Sequence, residues 1–140
     1  MTTRLHHIGI AVHDLAAAQE ELTRLLGYRV RSVVIHDPVQ TAHVQFLQLE
    51  GDPACVELVT PDGPASKLTG ALKRGGGLNH LCYAVDDIEA ACRRLSEGGM
   101  LIVQEPVAAV AFPGRRIAWL MGGARVLTEL VEEGVDRWPS

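Results

Sequence analysis

The strongest constraint on this chain is that it repeats itself. Leu5-His6-His7-Ile8-Gly9-Ile10-Ala11-Val12-His13-Asp14-Leu15-Ala16-Ala17 aligns with Leu78-Asn79-His80-Leu81-Cys82-Tyr83-Ala84-Val85-Asp86-Asp87-Ile88-Glu89-Ala90, and His80 lies 73 residues after His7. Leu, His, Ala, Val, Asp and Ala coincide in the two segments. A second match, Val56-Glu57-Leu58-Val59 against Thr128-Glu129-Leu130-Val131, falls at nearly the same spacing. Two matches at one spacing mean duplication, so the fold must accommodate two copies of one module.

Each half reads in the same way. An alternating strand (Leu5 to Val12; Leu78 to Val85) leads to an aspartate, Asp14 or Asp87, placed to accept hydrogen bonds from the free amides of a helix's first turn. The helix carries an apolar stripe, Leu15, Ala18, Leu22 and Leu25 in one half and Ile88, Ala91, Cys92 and Leu95 in the other. Gly27 and Gly98 are expected to end the helices in the left-handed conformation. Strand-forming runs follow: Tyr28 to His36, Thr41 to Leu49 and Cys55 to Thr60, then Leu101 to Glu105, Arg116 to Met121 and Val126 to Val131. The expected fold class is α+β: one domain over residues 1–140, built from two βαβββ modules, 1–60 and 78–135. Residues 61–77 form the linker, with a short helix at Ala65 to Lys73.

Composition narrows the partners. With 47% apolar and 21% charged residues, the chain can bury a core. The segment MTTRLHHIGIAVHDL lacks the features of a secretory signal and no stretch is apolar enough to span a membrane, so a cytoplasmic location is expected. Cys55, Cys82 and Cys92 are odd in number and widely spaced, which supports neither a disulfide framework nor a thiolate zinc site. A net charge of −4, scattered arginines and 4% aromatic residues give no surface for nucleic acid.

Alternation puts His7, Gly9 and Ala11 on one face of the first strand, with Ile8, Ile10 and Val12 on the face that meets helices. His80, Cys82 and Ala84 repeat the first face, leaving space beside each imidazole. Glu57 and Glu129 sit between residues that point the other way, so both carboxylates face the less apolar side. A buried carboxylate needs a partner, because unpaired desolvation costs several kcal/mol. A divalent metal is such a partner. His7, Glu57, His80 and Glu129 offer imidazole nitrogen and carboxylate oxygen, donors that suit zinc, cobalt, nickel, manganese or iron(II) and leave positions for substrate.

LHHIGIAVHDL, VELVTP, GGGLNHLCYAVDDIEAACRRL and VLTELVE together resemble the vicinal oxygen chelate (glyoxalase / bleomycin resistance / dioxygenase) superfamily, in its methylmalonyl-CoA epimerase-like branch. The resemblance covers nearly the whole chain. It implies two βαβββ modules forming a curled mixed sheet around a metal cup, with His7, Glu57, His80 and Glu129 as ligands of one metal per chain. It also implies a homodimer, and an epimerase or isomerase that removes the proton beside a metal-bound carbonyl. The substrate would be a CoA or carrier-protein thioester, or a polyketide-like carbonyl compound.

Two segments depart from that pattern. Gln40 to Leu47 holds no acid where some members of the branch carry a glutamate, so Thr41, His43 and Gln45 are expected to face the metal, with His43 a candidate base beside Glu57 and Glu129 and Gln45 a substrate contact. The run from Pro106 to Arg116 is apolar instead of glycine-rich. Its Arg115 and Arg116 are candidates for a substrate carboxylate or phosphate, and Cys82 for the pocket lining. The competing functions are a glyoxalase I-type lyase, for which no glutathione site is evident, and a metal-free small-molecule binding or resistance protein, which would need more aromatic residues than this chain supplies. An extradiol dioxygenase would have no use for Glu57 as a fourth donor.

Overall fold

A computed structural model describes residues 2–139. Its elements are β1 (Thr3–Ala11), α1 (Leu15–Leu26), β2 (Arg29–Val30), β3 (Ile35–Asp37), β4 (Ala42–Gln48), β5 (Cys55–Pro61), α2 (Thr69–Lys73), β6 (Gly77–Val85), α3 (Ile88–Glu97), β7 (Leu101–Ala108), β8 (Arg116–Met121) and β9 (Leu127–Glu132). The class is α+β with mixed strand directions: β6 runs parallel to β9, whereas β4–β5, β7–β8 and β8–β9 are antiparallel. The linker helix α2 is shorter than its sequence suggested. Among the described residues, no helix is long and apolar enough to cross a membrane.

The chain divides into two compact units that do not follow the sequence boundary between the repeats. One joins the residues up to His7 with His80–Arg137; the other joins Ile8–Asn79 with the tail from Trp138. The division falls within both β1 and β6.

In the first unit the strands follow the order β6-β9-β8-β7. Asp87 caps α3, its carboxylate accepting from Ala90 N at 2.9 Å. Ile88, Ala91 and Cys92 are buried against Val85, Ala118, Leu120 and Leu130, with Leu95 beside them, so the predicted stripe is the packed one. Gly98, however, is right-handed at φ −78°; the left-handed residue is Gly99, at φ 107°. The helix takes one residue more to stop than a capping glycine at position 98 would require.

In the second unit Asp14 caps α1 by accepting from Ala17 N at 3.0 Å, and Gly27 adopts φ 77° as expected. Leu15, Ala18 and Leu22 pack on Leu47, Val56 and Leu58. Leu25, the fourth member of the predicted stripe, is 60% exposed.

The run from Tyr28 to His36 is not one strand. Val30 opposes Leu47 and Ile35 opposes Val44, so five residues of advance are matched by three. Ser32 occupies the break: its hydroxyl accepts from Phe46 N at 3.0 Å and donates to Val33 O at 2.8 Å, replacing ladder bonds. The second copy does the same. Ile102 opposes Leu120 and Val107 opposes Ile117, again five against three, with Pro106 inside the irregular stretch where no ladder donor is needed. The duplication thus extends to a matched irregularity that sequence identity does not reveal.

β4 has the opposite phase to the one expected. Phe46 lies directly across from Glu57, while Gln45 opposes Leu58 and Leu47 opposes Val56, the residues that meet α1. Ala42, Val44 and Phe46 therefore share the Glu57 face, and His43 and Gln45 lie on the α1 face. Phe46 is apolar without facing α1 because Trp138 stacks on it, with ring centroids 4.6 Å apart and an interplanar angle of 6°.

Candidate metal centre

Within the first unit the sheet register brings three of the four predicted donors together. Glu129 lies opposite Cys82 on β6 and Trp119 on β8, so all three share a row. His7 Nε2 lies 3.1 Å from Glu129 Oε1, His80 Nε2 lies 3.4 Å from the same oxygen, and the two imidazole nitrogens are 3.2 Å apart. All three side chains are buried. Burial opposes the charge on Glu129, but hydrogen bonds with His7 and His80 outweigh it and hold the carboxyl below its usual range.

This donor triangle fits a divalent cation. Bonds of about 2.1 Å place neighbouring donors about 3.0 Å apart at octahedral angles and about 3.4 Å apart at tetrahedral ones. The three separations fall in that interval. Trp119 walls the group, its ring edge-on to His80 at 4.8 Å. Glu57 belongs to the second unit, where it is 7% exposed on a strand whose neighbours Val56 and Leu58 point to α1.

Behind His7 runs a chain of polar side chains that the sequence reading missed. His7 Nδ1 lies 2.8 Å from His6 Nδ1, and His6 Nε2 lies 3.0 Å and 3.1 Å from the two oxygens of Asp136. Arg115 Nη1 donates to Asp136 Oδ1 at 2.7 Å, and Arg115 Nε donates to the carbonyl of Glu132 at 2.7 Å. The Asp136 carboxyl is held down at about 2, because hydrogen bonds with His6 and with the charged Arg115 guanidinium outweigh its burial. The doubled histidine His6-His7 was a visible signal. Asp136, 130 residues beyond His6, was not.

The sequence profile described as the Glyoxalase/Bleomycin resistance protein/Dioxygenase superfamily matches residues 6–119. The chain belongs to this superfamily. Several relatives within it are epimerases. The chain is 34% identical over 122 residues to ethylmalonyl-CoA/methylmalonyl-CoA epimerase of Cereibacter sphaeroides, covering 86% of this chain and 89% of the relative. Methylmalonyl-CoA epimerase from Mycobacterium tuberculosis superposes with a TM-score of 0.83 at 32% identity, over 94% of this chain and 88% of that one. A variant of the Streptomyces coelicolor methylmalonyl-CoA epimerase in complex with 2-nitronate-propionyl-CoA superposes at 0.83 and 27% identity, over 96% and 100% of the two chains.

The other residues expected to serve this superfamily's chemistry are engaged elsewhere. His43 stands on the α1 face of β4, its ring tilted against His36 at 4.8 Å, and does not share a face with Glu57. Gln45, on the same face, donates its amide to the Ser32 carbonyl at 3.2 Å. Arg115 is buried in its bonds to Asp136 and Glu132, with its guanidinium 5.1 Å from the centre of the Phe112 ring. Arg116 binds Glu89 and Glu132, each at 3.1 Å, and its guanidinium is stabilised in the charged form by both. Neither arginine is a free anion receptor, because each already has carboxylate partners inside the chain. Cys82 is fully buried and lies directly across from Glu129.

Proposed function

We propose that this protein is a divalent-metal-dependent epimerase that inverts the carbon between the two carbonyl groups of a 2-alkylmalonyl-CoA thioester. The observation that carries this reading is the triangle of His7, His80 and Glu129 at metal-ligand spacing, in a chain whose relatives over most of its length are epimerases of such thioesters. The repeat supports Glu57 as the fourth donor, since it occupies in the first module the place of Glu129 in the second.

A bound divalent ion acts as a Lewis acid that stabilises negative charge on the thioester oxygen, worth several kcal/mol of barrier. The protein's own groups do the rest. His7 and His80 present Nε2, and their burial keeps these nitrogens away from competing water. The proton-transfer role falls to Glu57 or Glu129, one of which would loosen from the metal to take the α-proton, with an acid returning a proton to the opposite face. The place of His43 on the opposite face of β4 from Glu57 counts against it as the base.

The test is metal content together with exchange of the α-proton of methylmalonyl-CoA in deuterated water. About one divalent metal per chain and deuterium uptake that ends when the metal is chelated are expected. Tight binding of small molecules that is indifferent to chelator, with no uptake, would replace the enzyme by a binding protein. Which metal binds is settled by the same elemental measurement, and the homodimer implied by the resemblance by sedimentation velocity.

A further inference from the structure

We infer that His6, Asp136 and Arg115 form a positioning relay that fixes the tautomer and ring orientation of His7 and thereby sets how tightly the centre holds its metal. The inference rests on the metal reading above, and it concerns residues that the sequence profile, ending at residue 119, covers only in part.

Only one arrangement of protons satisfies the chain of contacts and leaves His7 able to ligate. Asp136 accepts from Arg115, and its carboxylate can also only accept from His6, so the ring proton of a neutral His6 sits on Nε2. His6 Nδ1 is then an acceptor at 2.8 Å from His7 Nδ1, and the His7 proton must sit there. His7 Nε2 is left with its lone pair facing Glu129 and His80, as a metal ligand requires. The reverse arrangement puts a proton on His7 Nε2 and forbids coordination. With a metal on His7 Nε2, the relay therefore holds the ring in the ligating tautomer, against the alternative in which Nε2 keeps its proton and donates to Glu129.

The geometry around the relay is built to hold this direction. His6 is 1% exposed, and Phe112 stands edge-on to its ring at 5.2 Å. The same Phe112 stacks against His7 at 6.0 Å and beneath the Arg115 guanidinium at 5.1 Å, so a single ring restrains three members. Arg115 takes a second anchor on the Glu132 carbonyl, fixing the far end of the relay to the end of β9.

A purely structural role, tying the tail to β1, makes a different forecast. Arg4 and Glu133 already tie the same two segments through a bond of 2.7 Å that does not touch the relay. The experiment therefore measures Co(II) affinity by competition with a chromophoric chelator, alongside melting curves, for wild type, His6→Leu, His6→Asn, Asp136→Asn and Glu133→Gln. His6→Leu, which removes the acceptor, is expected to weaken binding roughly 10- to 100-fold, and Asp136→Asn several-fold. His6→Asn, the residue the second module carries before His80, places a carbonyl oxygen near the lost Nδ1 and should recover most of the affinity. Glu133→Gln should leave it unchanged.

Wild-type affinity in folded His6→Leu, or an equal loss in Glu133→Gln, overturns the inference and leaves the metal reading standing. A wild type that binds no metal removes both. If His6→Leu does not fold, nitrogen-15 spectra of the zinc-loaded wild type decide: a His6 ring proton on Nε2 alone is the expected result, and a proton on His6 Nδ1 overturns the relay.

Discussion

His7 and His80 occupy the same position in the two modules and offer the same atom to Glu129, yet they are braced by different means. His7 is held from behind by a hydrogen-bonded chain ending on the tail, with Phe112 stacked on its ring; His80 follows Asn79 and is walled by the edge of Trp119. The pairs opposite each glutamate diverge likewise: Phe46 faces Glu57 under Trp138, and Trp119 faces Glu129. Duplication has kept the donors and the strand irregularities while the supporting contacts changed. Ligand position is fixed by the register of a sheet, which tolerates no slip, whereas bracing can be supplied by any neighbour of suitable shape.

The largest effect should come from deleting the ligands themselves. His80→Ala and His7→Ala are each expected to abolish stoichiometric metal and to lower α-proton exchange on the order of a thousandfold, the loss of about 4 kcal/mol of transition-state stabilisation. The two variants should differ in one respect. Added imidazole should restore metal more readily to His80→Ala, where no polar chain has to be re-established behind the ring. Equal rescue of both, measured as metal bound per chain, would break the comparison.

The next effect separates the helices. Ile88 and Leu15 are equivalent in the repeat, but Ile88 is fully buried in its cluster whereas Leu15 is only partly covered. Chemical denaturation should show Ile88→Ala costing about 3 to 4 kcal/mol and Leu15→Ala about half as much. Equal costs would mean that α1 is as well packed as α3.

The smallest concerns the tail. The folded-state pKa of Asp136 is depressed from 3.8 to about 2, so the carboxylate contributes stability above its ordinary value and loses it as the pH falls through that interval. The contribution is at most about 2 kcal/mol. Asp136→Asn should be less stable than wild type near neutrality, and the difference should shrink between about pH 4 and pH 2. A difference that stays constant across acid titrations would assign the cost to packing and not to charge.

The repeated modules, the caps Asp14 and Asp87, the packed face of α3 and three converging donors were legible because each is written in local pattern or in the repeat. The phase of β4 was not. Ala42, Val44 and Phe46 read as helix-facing because they are apolar, but Leu47, on the other face, is buried as well. A strand covered on both sides carries no alternation to read, and the residue that covers Phe46 is Trp138, 92 positions away. Arg115 and Arg116 read as free cations for the same reason: their partners Asp136 and Glu132 are set by the packing of the tail and β9. Gly98 and Gly99 show a finer limit, since adjacent glycines can trade the left-handed turn without any change in composition.

The division of β1 between the two units has a consequence for synthesis. Residues 2–7 are synthesised before the rest of their unit, His80 to Arg137, so this part of β1 waits until the whole of Ile8–Asn79 has been made. The first module can cap α1 and pair β4 with β5 in the meantime. The triangle of His7, His80 and Glu129 is therefore assembled only after β9 has been made, late in the synthesis of its unit.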